Sequence, residues 1–182
     1  LVMHIANKRT PISGASDHGV SEAFYLDDPE GNGVEVYTDR PPELWDWRDG
    51  MVNMPTEALD IGKLVGVLGE RSEPYRDAPS GLRIGHVHLR VGDLAPVARF
   101  YRQGIGLDLT RERHGAAFMS SGHYHHHVAG NIWQSKGAGK RDPERAGLDW
   151  FSLEVVDPAM LDAIATRLRE QGVAVTTLPN GI

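Results

Sequence analysis

A chain of 182 residues with 40% hydrophobic content can bury a core, as one good-sized domain or two small ones. Its 19 basic and 25 acidic side chains are interspersed and sum to −6, which argues against a nucleic-acid partner. No apolar run approaches the ~20 residues of a membrane span and the N-terminus lacks a signal-peptide pattern, so a cytoplasmic location is expected; the lack of cysteine removes disulfides and thiolate chemistry together, leaving any metal to nitrogen and oxygen donors.

In chain order, Leu1–Lys8 reads as the tail of a helix and Thr10–Ser13 as a short strand. Residues 17–37, DHGVSEAFYLDDPEGNGVEVY, read as two strands about the turn Asp28-Pro29-Glu30-Gly31-Asn32-Gly33, a run of residues that each favour reversal. The reversal sets Tyr25 and Glu35 on neighbouring strands. A lone strand glutamate is ordinarily a solvent-facing carboxylate, but Glu35 lies between Val34 and Val36 in a strand whose other face is apolar. Residues 40–82 carry Pro41-Pro42, Trp45 and Trp47 and a helix predicted over Glu57–Leu68 with Thr56 as its cap; they read as a connector whose tryptophans serve packing.

Ile84–Val91 alternates, with His86, His88 and Arg90 on one face and Val87, Leu89 and Val91 on the other. Asp93 is the expected cap of a helix whose apolar stripe is Leu94, Val97, Ala98 and Tyr101, with Pro96 tolerated in its first turn and Gly104 and Gly106 ending it. Strands are predicted over Ala116–Ser120 and His125–Trp133, separated by Ser120-Ser121-Gly122, which completes a βαβββ-like unit. Strand alternation would send His125 and His127 one way and His126 the other. His88 would support His86 or serve as a polar strand residue, and His4, His114 and His123 are given no role.

A shift of 64 positions brings His86–Asp93 onto Trp150–Asp157, each followed by a helix; the second carries Met160, Leu161, Ile164, Ala165 and Leu168, stops at Gly172 and leads to a strand over Val173–Thr177. Trp150 takes the place of His86, and an indole has no lone pair for a metal. The whole reads as the back half of one module, a full module and the front half of another, so a piece of a longer protein is expected.

DPEGNGVEVY resembles the DPxGxxxE signature of the vicinal oxygen chelate superfamily, and GHVHLRVGDL with Arg99-Phe100-Tyr101 and Gly104-Ile105-Gly106-Leu107 resembles the opening strand and helix of its module. DHGVSEAFYL and HHHVAGNIW are similar to the two-domain, catechol 2,3-dioxygenase-like subgroup. The resemblance implies an α+β fold of repeated βαβββ modules forming half-open mixed barrels. It makes residues 1–40 the C-terminal half of a module of an N-terminal domain, 41–82 a connector with a helix, and 83–182 a C-terminal domain. It further implies Glu35 and His86 as metal ligands, either with Glu35 joined by histidines from segments preceding Leu1 and His86 left as a remnant or structural histidine, or with module exchange bringing Glu35 and His86 together; His18 and Tyr25 are implied as the acid and the substrate-binding tyrosine. His125 and His126 match the paired active-site histidines. The implied cofactor is a divalent metal, iron(II) first, with manganese(II), zinc(II) or nickel(II) as alternatives. Two histidines and a carboxylate leave iron(II) open positions for a catecholate and dioxygen, while histidine and tyrosine handle the protons. The expected partners are a small aromatic substrate, dioxygen and a second copy in a homo-oligomer such as a dimer, with module exchange. The implied activity is extradiol ring cleavage of a catechol-like substrate. A glyoxalase-like isomerase or lyase, or a non-catalytic small-molecule-binding protein of the same fold, are the alternatives.

Overall fold

The computed structural model describes residues 1–67, 69, 75–179 and 181–182, and the chain divides into two units, Leu1–Ile84 and Gly85–Ile182.

The first unit opens with helix α1 (Val2–Lys8), which turns off at Arg9 in the left-handed region and buries Ile5. Three antiparallel strands follow, β1 (Gly14–Asp17), β2 (Ser21–Asp27) and β3 (Gly33–Asp39), joined at the far edge by β6 (Glu57–Ala58) in the order β3-β2-β1-β6. The predicted strand over Thr10–Ser13 therefore begins later, at Gly14, because the register of β1 against β2 runs from Gly14 opposite Tyr25 to Asp17 opposite Glu22. Asp28 closes the β2–β3 hairpin: its Oδ1 accepts from the backbone N–H groups of Glu30 (2.9 Å) and Asn32 (2.8 Å), and its Oδ2 accepts from Asn32 Nδ2 at 2.9 Å. These bonds hold the Asp28 carboxyl below its ordinary pKa, the Asn32 side chain contributing most. With the turn fixed, Tyr25 falls opposite Glu35 in the ladder.

Between β3 and β6 the chain makes a 3-10 turn at Pro42–Leu44 and a two-stranded ribbon of β4 (Trp47–Arg48) and β5 (Met51–Val52). Trp45 is buried and donates its Nε1 hydrogen to the Arg40 carbonyl, as expected of a packing residue. The helix expected from Glu57 is shorter: Glu57 and Ala58 pair with β1, and α2 (Ile61–Gly66) starts after Asp60, whose side chain accepts from the N–H of Lys63. Asp60 thus replaces Thr56 as the cap, and the expected last residue, Leu68, lies outside the described residues.

The second unit is a βαβββ module. Strand β7 (Val87–Arg90) leads through the Asp93 cap, whose side chain accepts from the Ala95 N–H, into α3 (Leu94–Arg99), and a wider π turn continues over Phe100–Ile105. Strands β8 (Asp108–Arg113), β9 (Ala116–Ser120) and β10 (Val128–Asn131) follow, giving the sheet order β7-β10-β9-β8 with β10 parallel to β7 and the other pairs antiparallel. The helix-facing side of this sheet holds the core, where Tyr101, Met119 and Val128 are buried against Leu89, Val97, Leu107 and Leu109. Full burial of a side chain such as Met119 or Val128 contributes roughly 1.5–3 kcal/mol. Burial of Tyr101 pushes its phenol above the usual pKa.

Gly92 is where the module permits no side chain, since a Cβ there would stand 2.0 Å from the Ala138 carbonyl oxygen. Helix α4 (Pro158–Glu170) is capped by Asp157 and docks through Arg167, which donates to the carbonyls of Gly104 (3.0 Å) and Ile105 (2.9 Å). The repeat holds for the cap and helix but not for the strands: neither Trp150–Val156 nor Val173–Thr177 lies in a strand. A strand needs a neighbour for its backbone groups, and among the described residues the sheet offers these segments none. Trp150 and Val156 are exposed accordingly. Among the described residues no helix is long and apolar enough to cross a membrane.

Candidate active site

In the first unit His18 sits in the β1–β2 turn, where its N–H bonds the Ser21 carbonyl and the next residue, Gly19, takes φ +72° at a place where a Cβ would fall 3.1 Å from Pro55 Cδ. A side chain at position 19 would meet both a strained backbone and the proline ring. The imidazole spans between two partners: Nδ1 lies 2.8 Å from the Pro55 carbonyl and Nε2 lies 2.5 Å from Tyr25 Oη, which in turn donates to Glu35 Oε1 at 3.0 Å. The Pro55 carbonyl only accepts, so Nδ1 carries hydrogen. With the phenol hydrogen directed at Glu35, Nε2 supplies the hydrogen for its own contact. If the phenol hydrogen turns to Nε2 instead, the carboxyl supplies one. In either arrangement three hydrogens serve three contacts, and the chain Pro55–His18–Tyr25–Glu35 is continuous. His18, Tyr25 and Glu35 are thus brought together, all half-buried, by the sheet of the first unit. The carbonyl of Pro55 carries no sequence signal; only the fold reveals it.

His86 belongs to the second unit. It directly precedes β7, and its ring lies 4.2 Å from that of His126 and 6.3 Å from that of His125. The triplet does not alternate as a strand. The backbone turns through a left-handed residue at His123 (φ 59°), and regular pairing to β7 begins only at Val128. As a result the buried rings of His125 and His126 face each other, Nδ1 to Nδ1, at 2.8 Å. His127 turns to Ser120 instead: its Nδ1 is 2.7 Å from Ser120 Oγ and accepts from the Ser121 N–H at 3.4 Å. Burial and the nearby charge of His86 lower the His127 pKa. His126 is therefore not directed away from His125 as strand alternation would have it, because the backbone of 121–127 is irregular, while His125 and His127 both pack against the Tyr124 ring, at 4.1 and 4.9 Å.

Thr110 explains how the triplet is held. A β-bulge between Leu109 and Arg111 leaves Thr110 out of register, and its buried hydroxyl donates to the His125 carbonyl at 2.6 Å. Sequence gave no sign of this role, because the bulge is invisible in an alternating pattern. His88 accepts from Asn131 Nδ2 at 3.0 Å and packs near Phe118 and Trp133. His114 and His123 are exposed, and Trp150 is three-quarters exposed in an irregular segment.

The donor types fit a divalent metal, being imidazole and carboxylate without thiolate. In number they fall short: among the described residues no three His, Cys, Asp or Glu side chains form a group that could hold one ion. Glu35 and His86, the two expected ligands, lie in different units.

The second unit has the βαβββ architecture of an α+β module whose strands wrap without closing a barrel. Residues 83–180 match the Glyoxalase/Bleomycin resistance protein/Dioxygenase superfamily, and the chain belongs to it. A protein of Bacillus subtilis (strain 168) named catechol-2,3-dioxygenase is 38% identical over 170 residues, which cover 92% of this chain and 59% of that protein. The chain therefore spans about three fifths of the length of this relative. Among solved structures, the Mn(II)-bound glyoxalase from Novosphingobium aromaticivorans is 13% identical with a TM-score of 0.29, over 93% of this chain and 46% of that one. The 2,2',3-trihydroxybiphenyl 1,2-dioxygenase from Sphingomonas wittichii strain RW1 is 14% identical with a TM-score of 0.28, over 97% and 56%. Scores this low have no bearing on chemistry.

Proposed function

We propose that the protein is an oxidoreductase that opens an aromatic ring bearing adjacent hydroxyls, using dioxygen and a divalent metal, iron(II) or manganese(II), with Glu35 as the carboxylate ligand. The observation that carries this reading is the hydrogen-bonded chain from His18 through Tyr25 to Glu35. The name of the Bacillus subtilis relative supports it. In this reading unit one supplies the helix and three strands of a module and, in Glu35, one of the metal donors.

The chain's own groups would handle protons. A dihydroxylated ring binds best as an anion, so at least one hydroxyl proton has to be taken up and later returned to the opened product. His18 is anchored through Nδ1 to Pro55, which fixes the direction in which Nε2 points. Tyr25 Oη is 2.5 Å from that nitrogen, so a proton placed on either is one transfer from the other. Tyr25 also orients the Glu35 carboxylate and presents a hydroxyl to a ring oxygen. The metal, when bound, would supply electron transfer between ring and dioxygen.

The test is anaerobic loading of the protein with iron(II), exposure to air with a catechol, and measurement of the yellow ring-opened product. Glu35→Gln keeps the shape of the side chain and removes its charge. Changing even the outer partners of metal ligands costs about 10–100-fold, so the loss here is expected to be at the upper end or beyond. Product formation unchanged in Glu35→Gln, or no iron uptake and no product in the parent, would overturn the reading.

A further inference from the structure

We propose that Arg40 is a positioning residue for the His18–Tyr25 pair: its guanidinium holds together two carboxylates that stand opposite each other at the base of the turn carrying His18. The chemistry of that pair rests on the ring-cleavage reading; the positioning is a property of the chain without metal or substrate.

The turn joins β1 to β2, and its closing pair is Asp17 opposite Glu22. Like charges directly opposite on paired strands repel, which favours an opened turn. Arg40, the first residue after β3, meets both: its Nη2 donates to Asp17 Oδ2 at 2.5 Å and to Glu22 Oε1 at 2.9 Å. The Arg40 side chain is 30% exposed, that of Asp17 27% and that of Glu22 16%, so solvent screens the repulsion only in part. Removing the one cation from such a group is costly because the two carboxylates stay behind uncompensated.

The same group reaches the backbone on both sides of His18. Asp17 Oδ1 accepts from the Gly19 N–H at 2.8 Å, and the Arg40 N–H bonds the Val20 carbonyl at 2.8 Å. Residue 17, which precedes His18, and residues 19 and 20, which follow it, are therefore tied to one arginine, directly or through Asp17. Residue 40 is itself fixed, since its carbonyl accepts from Nε1 of buried Trp45 at 3.0 Å. The His18 ring has little latitude, because it meets the Pro55 carbonyl at 2.8 Å and Tyr25 Oη at 2.5 Å together. A turn that opens breaks one contact or the other, and a misplaced proton-transfer group costs up to about 10²-fold in rate. Both carboxylates are met by the single nitrogen Nη2, so the arginine acts as a point charge rather than as a fork, and a lysine can stand in for it.

The experiment reads the His18 ring of the full chain by ¹H–¹⁵N NMR, without metal or substrate, in the parent, Arg40→Met, Arg40→Lys and Arg40→Met/Glu22→Gln. The parent should show a His18 Nδ1–H resonance protected from exchange by its bond to Pro55. Arg40→Met keeps the stem and drops Nε, which is buried without a hydrogen-bond partner. Its His18 resonance should exchange at least about tenfold faster, while the Trp45 indole resonance, the marker of an intact fold, stays protected. Arg40→Lys, by keeping the charge, and Arg40→Met/Glu22→Gln, by removing the repulsion, should both restore the parent rate. An unprotected ring in the parent, a resonance unmoved in Arg40→Met, or one that either second change leaves fast overturns the proposal. Should Arg40→Met not fold, Arg40→Met/Glu22→Gln decides: a protected His18 supports the charge bridge, and an unprotected one or an unfolded chain overturns it. With a catechol, Arg40→Met should lower kcat about tenfold or more with KM within about twofold; a raised KM at unchanged kcat overturns the positioning role. A parent that makes no product yet shows these changes in exchange loses ring cleavage and keeps the charge bridge, so the two readings fail separately.

Discussion

Tyr25 Oη stands between His18 Nε2 and Glu35 Oε1, so one hydroxyl sets the direction of both hydrogen bonds. Tyr25→Phe removes that hydroxyl and nothing else. Since the residue is half-buried on β2 and its ring remains, the fold should lose no more than about 1 kcal/mol, the usual net value of a hydrogen bond. Activity should fall much further, about 10²-fold or more, as when a positioned proton-transfer group is lost. Measuring product formation beside the thermal midpoint separates these effects; equal small changes in both would remove Tyr25 from the chemistry. Tyr101 is a phenol with the opposite assignment. It is buried in the core of the second unit, and desolvation raises its pKa. A group whose folded pKa is raised above its unfolded value gives its full stability below the unfolded pKa, and loses it as pH rises through that value toward the folded one. For tyrosine the loss begins near pH ~10, as the unfolded chain ionises and the folded one resists. Tyr101→Phe removes this dependence. The parent should therefore lose thermal stability relative to the variant between about pH 9 and 11, and parallel melting profiles would refute the assignment.

At the level of elements, Gly92 and Asp93 are adjacent but do different work. Asp93→Ala deletes an N-cap bond to Ala95 and should cost about 1 kcal/mol. Gly92→Ala forces a methyl against the Ala138 backbone oxygen, which no side-chain rotation relieves, and should cost more, about 2–4 kcal/mol. Denaturant unfolding of the two variants tests the order, and a milder effect at position 92 would mean that the 135–138 loop yields. The same contrast shows what could be read in advance. Asp93, Asp157 and the Asp28 hairpin were legible because caps and turns are local chemistry, and the hairpin alone fixed Tyr25 opposite Glu35. Gly92 and Thr110 were not, because their partners lie 46 residues away at Ala138 and 15 away at His125. The histidine triplet was misread for a related reason. Its composition suits a strand, yet the bulge at Thr110 and the left-handed turn at His123 bend it before β10 begins. Strand β8 escaped notice altogether, since Arg111, Glu112 and Arg113 hide its apolar side.

Over the whole molecule, the family and its βαβββ module were visible in a recurrence of 64 residues and in a carboxylate-bearing hairpin, yet the recurrence overstated the strands. Trp150–Val156 has strand alternation without a strand partner, so periodicity alone could not decide it. Composition decides something more general. A cysteine-free chain offers nitrogen and oxygen donors only, which suit iron(II) and manganese(II) as well as zinc(II) and nickel(II). The reaction has to make the distinction. Adding dioxygen across a ring bond needs a metal able to pass electrons between ring and oxygen, and zinc has no accessible second oxidation state. Isomerisation of a thiol conjugate needs only polarisation of a carbonyl, for which zinc or nickel suffices. Chelation should therefore abolish oxygen uptake with a catechol, and iron(II) or manganese(II) should restore it while zinc(II) does not. Oxygen-electrode traces with elemental analysis of the reloaded protein give the answer. If zinc or nickel instead restores turnover of a thiol-conjugated aldehyde and no metal restores oxygen uptake, the glyoxalase-like activity replaces ring cleavage, and Tyr25 and His18 become the proton carriers of an isomerase.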